Sequence, residues 1–304
     1  MLLLPTEELS TVRMLDNFMI EYCRVKETVS RAIIDASTKL RVDQINAYID
    51  ALEREENENA RWVLEKILEN ARVAEKARHY PLCNDTGVPH IYIKLGREFP
   101  LPQGFFQAIY EGVVKGERDL PTRPMAVKGG PMERIAQLEG LFDDPGQLIP
   151  APFIIENIPG CKTYVTVLML GGGPELQART YRVYHHKSGE RVLNEAAKWA
   201  VEGAAKLGCT PCVPTIGIGR TTSEASTLML RALSHGRFDK QNKWERIVVE
   251  KLNSTGVGPL GLGGSVTALG SFIEIGPQRA SGARVVCMRL GCCYDPRRAT
   301  VEFG

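Results

Sequence analysis

The sequence contains no run of 18 apolar residues, so no segment is long enough to span a bilayer as an apolar helix. It has little charge bias: 38 Lys and Arg against 36 Asp and Glu leave a net +2, which gives no support to nucleic-acid binding. Met1-Leu2-Leu3-Leu4, followed at once by Pro5 and then by Glu7 and Glu8, is too short for a signal peptide, so no secretory leader is expected. Eight cysteines without such a leader predict a cytoplasmic, reducing setting with thiols free for chemistry. No glycine run has the Gly-Lys-Ser/Thr ending of a Walker A loop, and none has dinucleotide spacing inside a strand–turn–helix unit. Internal repeats and long linkers are missing too.

The chain does have enough apolar content for a large core, 43% of 304 residues. Over residues 7 to about 77 the apolar positions recur at helical spacing, as in Ile45, Tyr48, Ile49 and Leu52, then Trp62, Val63, Ile67 and Leu68. Asp43 is placed to cap the longer of these helices, and Glu53-Arg54-Glu55-Glu56 reads as a solvated face. Beyond His79-Tyr80-Pro81 the pattern changes to strands and glycine-rich turns. Residues 91–95, 164–170 and 284–290 are predicted strands. An Ala-rich helix is predicted over Glu190–Leu207, with Gly208 as its stop. The expected architecture is one α+β unit: residues 1–78 mainly helical, packed on a glycine-rich α/β portion, 79–304.

Cysteine-bearing turns carry the chemistry. Cys83-Asn84-Asp85-Thr86-Gly87 sets a soft thiolate two residues before a carboxylate; thiolates suit iron or zinc, and a carboxylate can handle protons. One cysteine cannot complete a site. Cys209, in Gly208-Cys209-Thr210-Pro211, and Cys293, in Cys293-Tyr294-Asp295-Pro296-Arg297-Arg298, are the distant candidates to join it. Cys23, Cys161 and Cys287 sit in apolar patterns and read as small core residues. Gly171-Gly172-Gly173, Gly217-Ile218-Gly219 and the run Gly256–Gly264 read first as structural turns. The last, beside the cysteine turns, also suits a carboxylate held by backbone amides.

These motifs, in this order, resemble the α subunit of class I fumarases and L-tartrate dehydratases. The first turn is similar to that family's Cys-Gln-Asp-Thr-Gly, and Pro121-Thr122-Arg123-Pro124-Met125-Ala126-Val127 to its substrate-arginine segment. Residues 256–264 are close to its Gly-x-Gly-Pro-Gln-Gly-Leu-Gly-Gly, and Cys293–Ala299 to its Cys-Trp-Ala-x-Arg-Arg. The resemblance spans residues 57 to 304. It implies a hydro-lyase that reversibly dehydrates a C4 2-hydroxy-dicarboxylate, either malate to fumarate or tartrate to oxaloacetate. It implies a [4Fe-4S] cluster with one open iron, held by Cys83, Cys209 and Cys293. Three thiolates leave an iron free for Lewis-acid work, whereas four would close it. It further implies substrate contacts from Asn84, Asp85 and Arg123 and from Gly171, Gly172 and Gly173, and a β subunit in an α2β2 assembly. Arginine suits a carboxylate because its planar fork bonds both oxygens.

The chain also departs from the motifs. The family's Cys-Pro-Pro is Cys209-Thr210-Pro211 here, and Cys212 creates a Cys-x-x-Cys. Counting back from Gly217-Ile218-Gly219 selects Cys209 over Cys212. The step to Arg297 selects Cys293 over Cys292, while the preceding glycine selects Cys292. Asn84 stands for Gln, Arg279 or Ser281 fills a region where many members have histidine, and Gly173 leads into Pro174-Glu175, a tilt towards tartrate-like members. His185 and His186 read as a solvated hairpin turn beside Lys187-Ser188-Gly189. His90 is the histidine nearest the first cysteine turn, and His79 and His235 read as surface or boundary residues. Two other readings stand beside the enzyme. One is a zinc- or thiol-based binding module using Cys209, Cys212, Cys292 and Cys293; the other is a phosphate-binding module built on the glycine loops.

Overall fold

A computed structural model describes residues 6–77, 80–120 and 123–304, with side chains from Glu21 onward. His79 and the Pro121-Thr122 pair of the arginine segment lie outside the described residues. In chain order the elements begin with helices α1 (Thr6–Thr38), α2 (Val42–Arg54) and α3 (Glu58–Ala77). Next come β1 (Val88–Gly96), α4 (Phe105–Asp119), α5 (Pro131–Ala136), β2 (Ile154–Ile158) and β3 (Thr163–Leu170). The short α6 (Gly172–Leu176), β4 (Arg179–Tyr184), α7 (Gly189–Leu207), β5 (Val213–Gly219) and α8 (Thr222–His235) follow. Last are α9 (Lys243–Asn253), β6 (Phe272–Ile275), β7 (Ala283–Gly291) and β8 (Arg298–Phe303). Helices and strands are mixed along the chain, as its changing periodicity predicts. No helix among the described residues is long and apolar enough to cross a membrane.

The chain forms two compact units, each assembled from separated stretches. The first contains residues 1–36, 88–167 and 298–304. Its sheet runs β2-β1-β3-β8, with β1 and β2 parallel in the register Tyr92 to Ile154. Helix α4 lies close on α1 because Gly112 and Gly116 present no side chain there. A Cβ at Gly112 would stand 2.6 Å from the Lys26 carbonyl, and one at Gly116 would stand 2.6 Å from Ile33 Cβ.

The second unit contains residues 37–87 and 168–297, including all the cysteine-bearing turns. Its sheet has the order β4-β7-β5-β6, with β5 antiparallel to β7 (Val213 opposite Gly291) and parallel to β6. Every residue of β5 is buried, the polar Thr215 included, so this strand shows no alternation of apolar and polar faces. Gly217 and Gly219 are strand residues, and α8 presses directly on them. A Cβ at Gly217 would fall 2.1 Å from the Ala225 carbonyl, so only glycine admits the helix. The Ala-rich α7 ends at Gly208 with φ 74°, the left-handed stop its sequence predicts. Ala196, Ala197, Ala200 and Ala204 of α7 bury against Val286, Met288 and Leu290 of β7.

Several local expectations are corrected. Asp43 does not cap α2, whose N-cap is Arg41; its carboxylate instead accepts from Arg41 Nη2 and the Phe238 N–H at 2.8 and 3.0 Å. Cys23 and Cys161 are exposed, and of the three presumed core cysteines only Cys287 is buried. The His185–Ser188 turn joins a strand to a helix, β4 to α7, rather than two strands of a hairpin.

Glu55 departs from its neighbours. Glu53, Arg54 and Glu56 are solvated, but Glu55 is buried and accepts from the N–H groups of Asn57, Ser265 and Val266 and from the Ser265 hydroxyl. Burial opposes its charge, yet these donors outweigh that and hold the carboxyl below its ordinary 4.5. A lowered acid contributes stability that is present above its unfolded value and lost as pH falls through the folded one. Glu55→Gln is therefore expected to cost about 1–3 kcal/mol in urea unfolding at pH 7. That deficit should shrink below about pH 4.5; a deficit that stays constant with pH would refute the role of the charge.

Candidate metal centre

Three turns of the second unit are tied together from several sides. Cys83 opens a turn closed by its own polar groups: the Asp85 N–H points to Cys83 Sγ at 3.4 Å, and the Gly87 N–H reaches Asp85 Oδ1 at 3.1 Å. The second carboxylate oxygen of Asp85 accepts the Gly172 N–H at 2.7 Å. Arg297, 2% exposed, donates through Nη1 to the carbonyls of Asp85 and Thr86 at 2.6 and 3.1 Å. The two glycines allow this approach. A Cβ at Gly87 would meet Arg297 Nη2 at 2.8 Å, and one at Gly171 would meet Asp85 Oδ2 at 2.9 Å.

The second turn follows α7, where the left-handed Gly208 delivers Cys209 to an exposed position before the cis Thr210–Pro211 bond. The third follows β7, where Cys292 and Cys293 are both buried. Its Cys293 N–H donates to the Cys209 carbonyl at 2.8 Å, joining turns 84 residues apart in sequence (293 − 209).

Helices α2 and α3 brace the set. Tyr48 donates its hydroxyl to the Cys293 carbonyl, and Gln44 Nε2 donates to the carbonyls of Tyr294 and Asp295 at 3.3 and 3.1 Å. Asn70 Nδ2 donates to the Leu82 carbonyl at 3.1 Å and to the Tyr294 hydroxyl at 2.8 Å, bridging the approach to Cys83 and the Cys293 turn. Beneath lies Arg289, fully buried on β7. It meets Asp295 Oδ2 at 2.7 Å and Glu175 Oε1 at 2.5 Å, while Asp295 Oδ2 also accepts the Cys292 N–H at 3.3 Å. The sequence marks Tyr48 only as an apolar helical position, and it gives Gln44, Asn70 and Arg289 no place in the site. Gln44 and Tyr48, four apart on one buried helical face, were the available signal.

The thiols lie within one another's electrostatic reach. Burial raises Cys83, partly offset by the Asp85 N–H and the Arg297 guanidinium. Burial also raises Cys209, aided by the nearby charges of Cys292, Cys83 and Asp85. Cys292 and Cys293 share a hydrogen bond that lowers the first and raises the second, and burial with the nearby Cys209 and Cys83 lifts Cys293 further. Cys212 is different: it is fully buried in the core between α7 and β7, and burial pushes its thiol up to about 12. The Cys-x-x-Cys pair is thus divided between an exposed turn and the core, against the four-cysteine zinc reading. Among the described residues no three His, Cys, Asp or Glu side chains converge tightly enough for a single metal ion. Soft thiolates on three turns are a donor set whose chemistry suits iron–sulfur ligation. The same turns hold buried Thr86 Oγ1, Asp295 Oδ1 and Arg297 Nε without a hydrogen-bond partner.

Of the glycine segments, 256–264 is not the open amide cradle that its place beside the cysteine turns also suited. In the loop 256–264, the N–H groups of Gly256, Val257, Gly258, Leu260, Gly261, Leu262 and Gly263 are all bonded within the chain, and Pro259 has none. This is a laced wall with little donor capacity left for an anion, against both the phosphate-binding reading and the carboxylate cradle. Gly172 spends its N–H on Asp85, Gly171 makes room for that carboxylate, and Gly173 lies in α6. Asn84 is exposed beside Cys83. Arg123 belongs to the first unit, where it is exposed, and so does His90.

Buried arginines brace two of the three thiol-bearing turns, Arg297 the one after Cys83 and Arg289 the one with Cys292 and Cys293. The model of the family described as fumarate hydratase (fumerase) matches residues 26–302, and the chain belongs to that family. It is similar to a Methanocaldococcus jannaschii protein provisionally named L(+)-tartrate dehydratase subunit alpha, with 31% identity over 91% of this chain and 96% of the relative. The L(+)-tartrate dehydratase subunit alpha of Escherichia coli is 25% identical over 92% of this chain and 90% of its own. A Geobacillus stearothermophilus protein provisionally named fumarate hydratase class I is 27% identical over 81% of this chain, but over only 49% of its own length.

Proposed function

We propose that this chain is the cluster-bearing α subunit of an iron–sulfur hydro-lyase that reversibly dehydrates a C4 2-hydroxy-dicarboxylate. The observation that carries the proposal is the bond from the Cys293 N–H to the Cys209 carbonyl, in a unit whose Cys83 thiol shares the same electrostatic surroundings. Membership of the fumarate hydratase family and likeness to tartrate dehydratase α subunits support the reaction class. Cys83, Cys209 and Cys293 would hold a [4Fe-4S] cluster, which when bound supplies a Lewis-acid iron that makes hydroxide a feasible leaving group.

The remaining work falls to the chain. Asp85 takes up or returns the proton on the carbon next to the one that bears the hydroxyl. Its two carboxylate oxygens are aimed by the Gly87 and Gly172 N–H groups, and its backbone is pinned by Arg297. Asn84 supplies a polar contact to the substrate, and Arg123 a fork for one substrate carboxylate. A β subunit completes the site. The names of the α-subunit relatives support such a partner, and so does the longer single chain of which this one matches about half.

The test is anaerobic reconstitution followed by iron and sulfide quantitation. Wild type is expected to take up near-equal iron and sulfide. Cys83→Ser, Cys209→Ser and Cys293→Ser should each lose most of both, while Cys212→Ser should retain them. Zinc without sulfide in wild type would sink the proposal, and loss centred on Cys292→Ser instead of Cys293→Ser would reassign the third ligand.

A further inference from the structure

Thr210 follows Cys209 and is 1% exposed, yet its polar atoms serve another loop. Its hydroxyl donates to the Gly258 carbonyl at 2.5 Å and accepts the Gly261 N–H at 3.3 Å, and its own carbonyl accepts the Leu260 N–H at 3.0 Å. Two residues on, the Cys212 N–H donates to the Thr267 carbonyl and the Leu269 N–H to the Cys212 carbonyl, at 2.8 and 3.0 Å. The turn carrying Cys209 is therefore laced along its length to residues 258–269.

The loop it holds has little rigidity of its own. Gly256, Gly258, Gly261, Gly263 and Gly264 all have positive φ, and glycine loses the most conformational freedom on ordering. Leu260 also sits at φ 51°, a conformation that costs a non-glycine residue free energy and persists only where neighbours impose it. In that conformation the Leu260 N–H is bonded to the Thr210 carbonyl. Thr210 and Leu260 are also two places where the chain departs from the motifs it resembles, which carry proline and glutamine there. The bond between these two positions is main chain to main chain and needs neither side chain, but a proline has no hydroxyl to offer Gly258 and Gly261.

We propose that Thr210 is a positioning residue, whose hydroxyl locks the Gly256–Gly264 loop against the Cys209 turn and so fixes the Cys209 thiol for its metal. The metal clause rests on the hydro-lyase reading; the latch does not. Valine has the same shape but removes both hydroxyl bonds, leaving the buried Gly258 carbonyl only the Gly261 N–H at 3.2 Å, whereas serine keeps both.

The latch is tested on the metal-free full-length chain by hydrogen exchange of amides 257–263 and by the rate at which iodoacetamide alkylates Cys209, read by mass spectrometry. Thr210→Val is expected to speed exchange of these amides about tenfold and Cys209 alkylation several-fold, with Thr210→Ser within about twofold of wild type. In chain loaded with iron and sulfide, Thr210→Val should release iron to a chelator several-fold faster than Thr210→Ser. If Thr210→Val fails to fold, Thr210→Ala carries the same comparison. Valine within twofold of wild type, or serine as loose as valine, overturns the latch, and equal iron release overturns the positioning of Cys209. A wild type that takes up no iron, while the valine variant still loosens the loop, sinks the hydro-lyase reading and leaves the latch standing.

Discussion

Arg289→Met is expected to destabilise the chain by about 3–5 kcal/mol, because it leaves the Asp295 carboxylate buried without its counter-charge. Both side chains are fully buried, and the pair at 2.7 Å lies directly under the Cys292 N–H. The half-exposed Glu175 partner adds less, since solvent screens it. Urea unfolding of the metal-free chain measures the loss. The double variant Arg289→Met with Asp295→Asn should recover much of it, because a buried charge is then no longer stranded. Equal losses in the single and double variants would mean that packing, and not charge, dominates at this position. The Cys292–Cys293 turn is expected to loosen with the pair, so iron uptake should fall in the single variant and return in the double.

Asp85→Asn is expected to leave stability within about 1 kcal/mol, yet lower kcat by about 10²–10⁴ in the enzyme assembled with its partner subunit. The asymmetry follows from what the carboxylate touches. Its partners are two backbone N–H groups, and an amide oxygen can still accept one of them, so the turn survives. The amide cannot carry the proton. The readout is kcat for malate or tartrate dehydration beside an unfolding midpoint and an iron-to-sulfide ratio for the same preparation. Full activity would remove Asp85 from proton transfer. Lost activity together with lost iron would make it a structural member of the Cys83 turn.

Much of the scaffold was legible from local pattern. Strands β1, β3 and β7 showed as apolar, β-branched runs, and α7 showed through its alanines and Gly208 stop. Each depends on residues close in sequence. The errors arose where burial is decided residue by residue. Glu55 shares a charge run with Glu53, Arg54 and Glu56, and composition cannot tell that one of the four turns inward to cap residues 265 and 266. Cys23 and Cys161 lie among apolar residues yet face solvent. The bracing of the third turn was invisible for another reason: Gln44 and Tyr48 reach partners 251 and 245 residues away. No local periodicity encodes such a pairing.

The sequence by itself determined the family, the set of thiols and the order of the turns that carry them, because a motif is contiguous chain chemistry and survives without knowledge of the fold. The spacing to Gly217 already favoured Cys209 over Cys212, but only the tertiary structure gave the physical reason, since three residues along the chain lead from an exposed turn into the core between α7 and β7. It also turned the glycine run from a presumed amide cradle into a wall, because a backbone N–H is open to a ligand only where no carbonyl or hydroxyl of the chain already takes it. And it gave Arg289 and Arg297 their work. A guanidinium on the sequence is a charge of unknown destination, and burial beside Asp295 or against the Asp85 carbonyl makes it a support for the site.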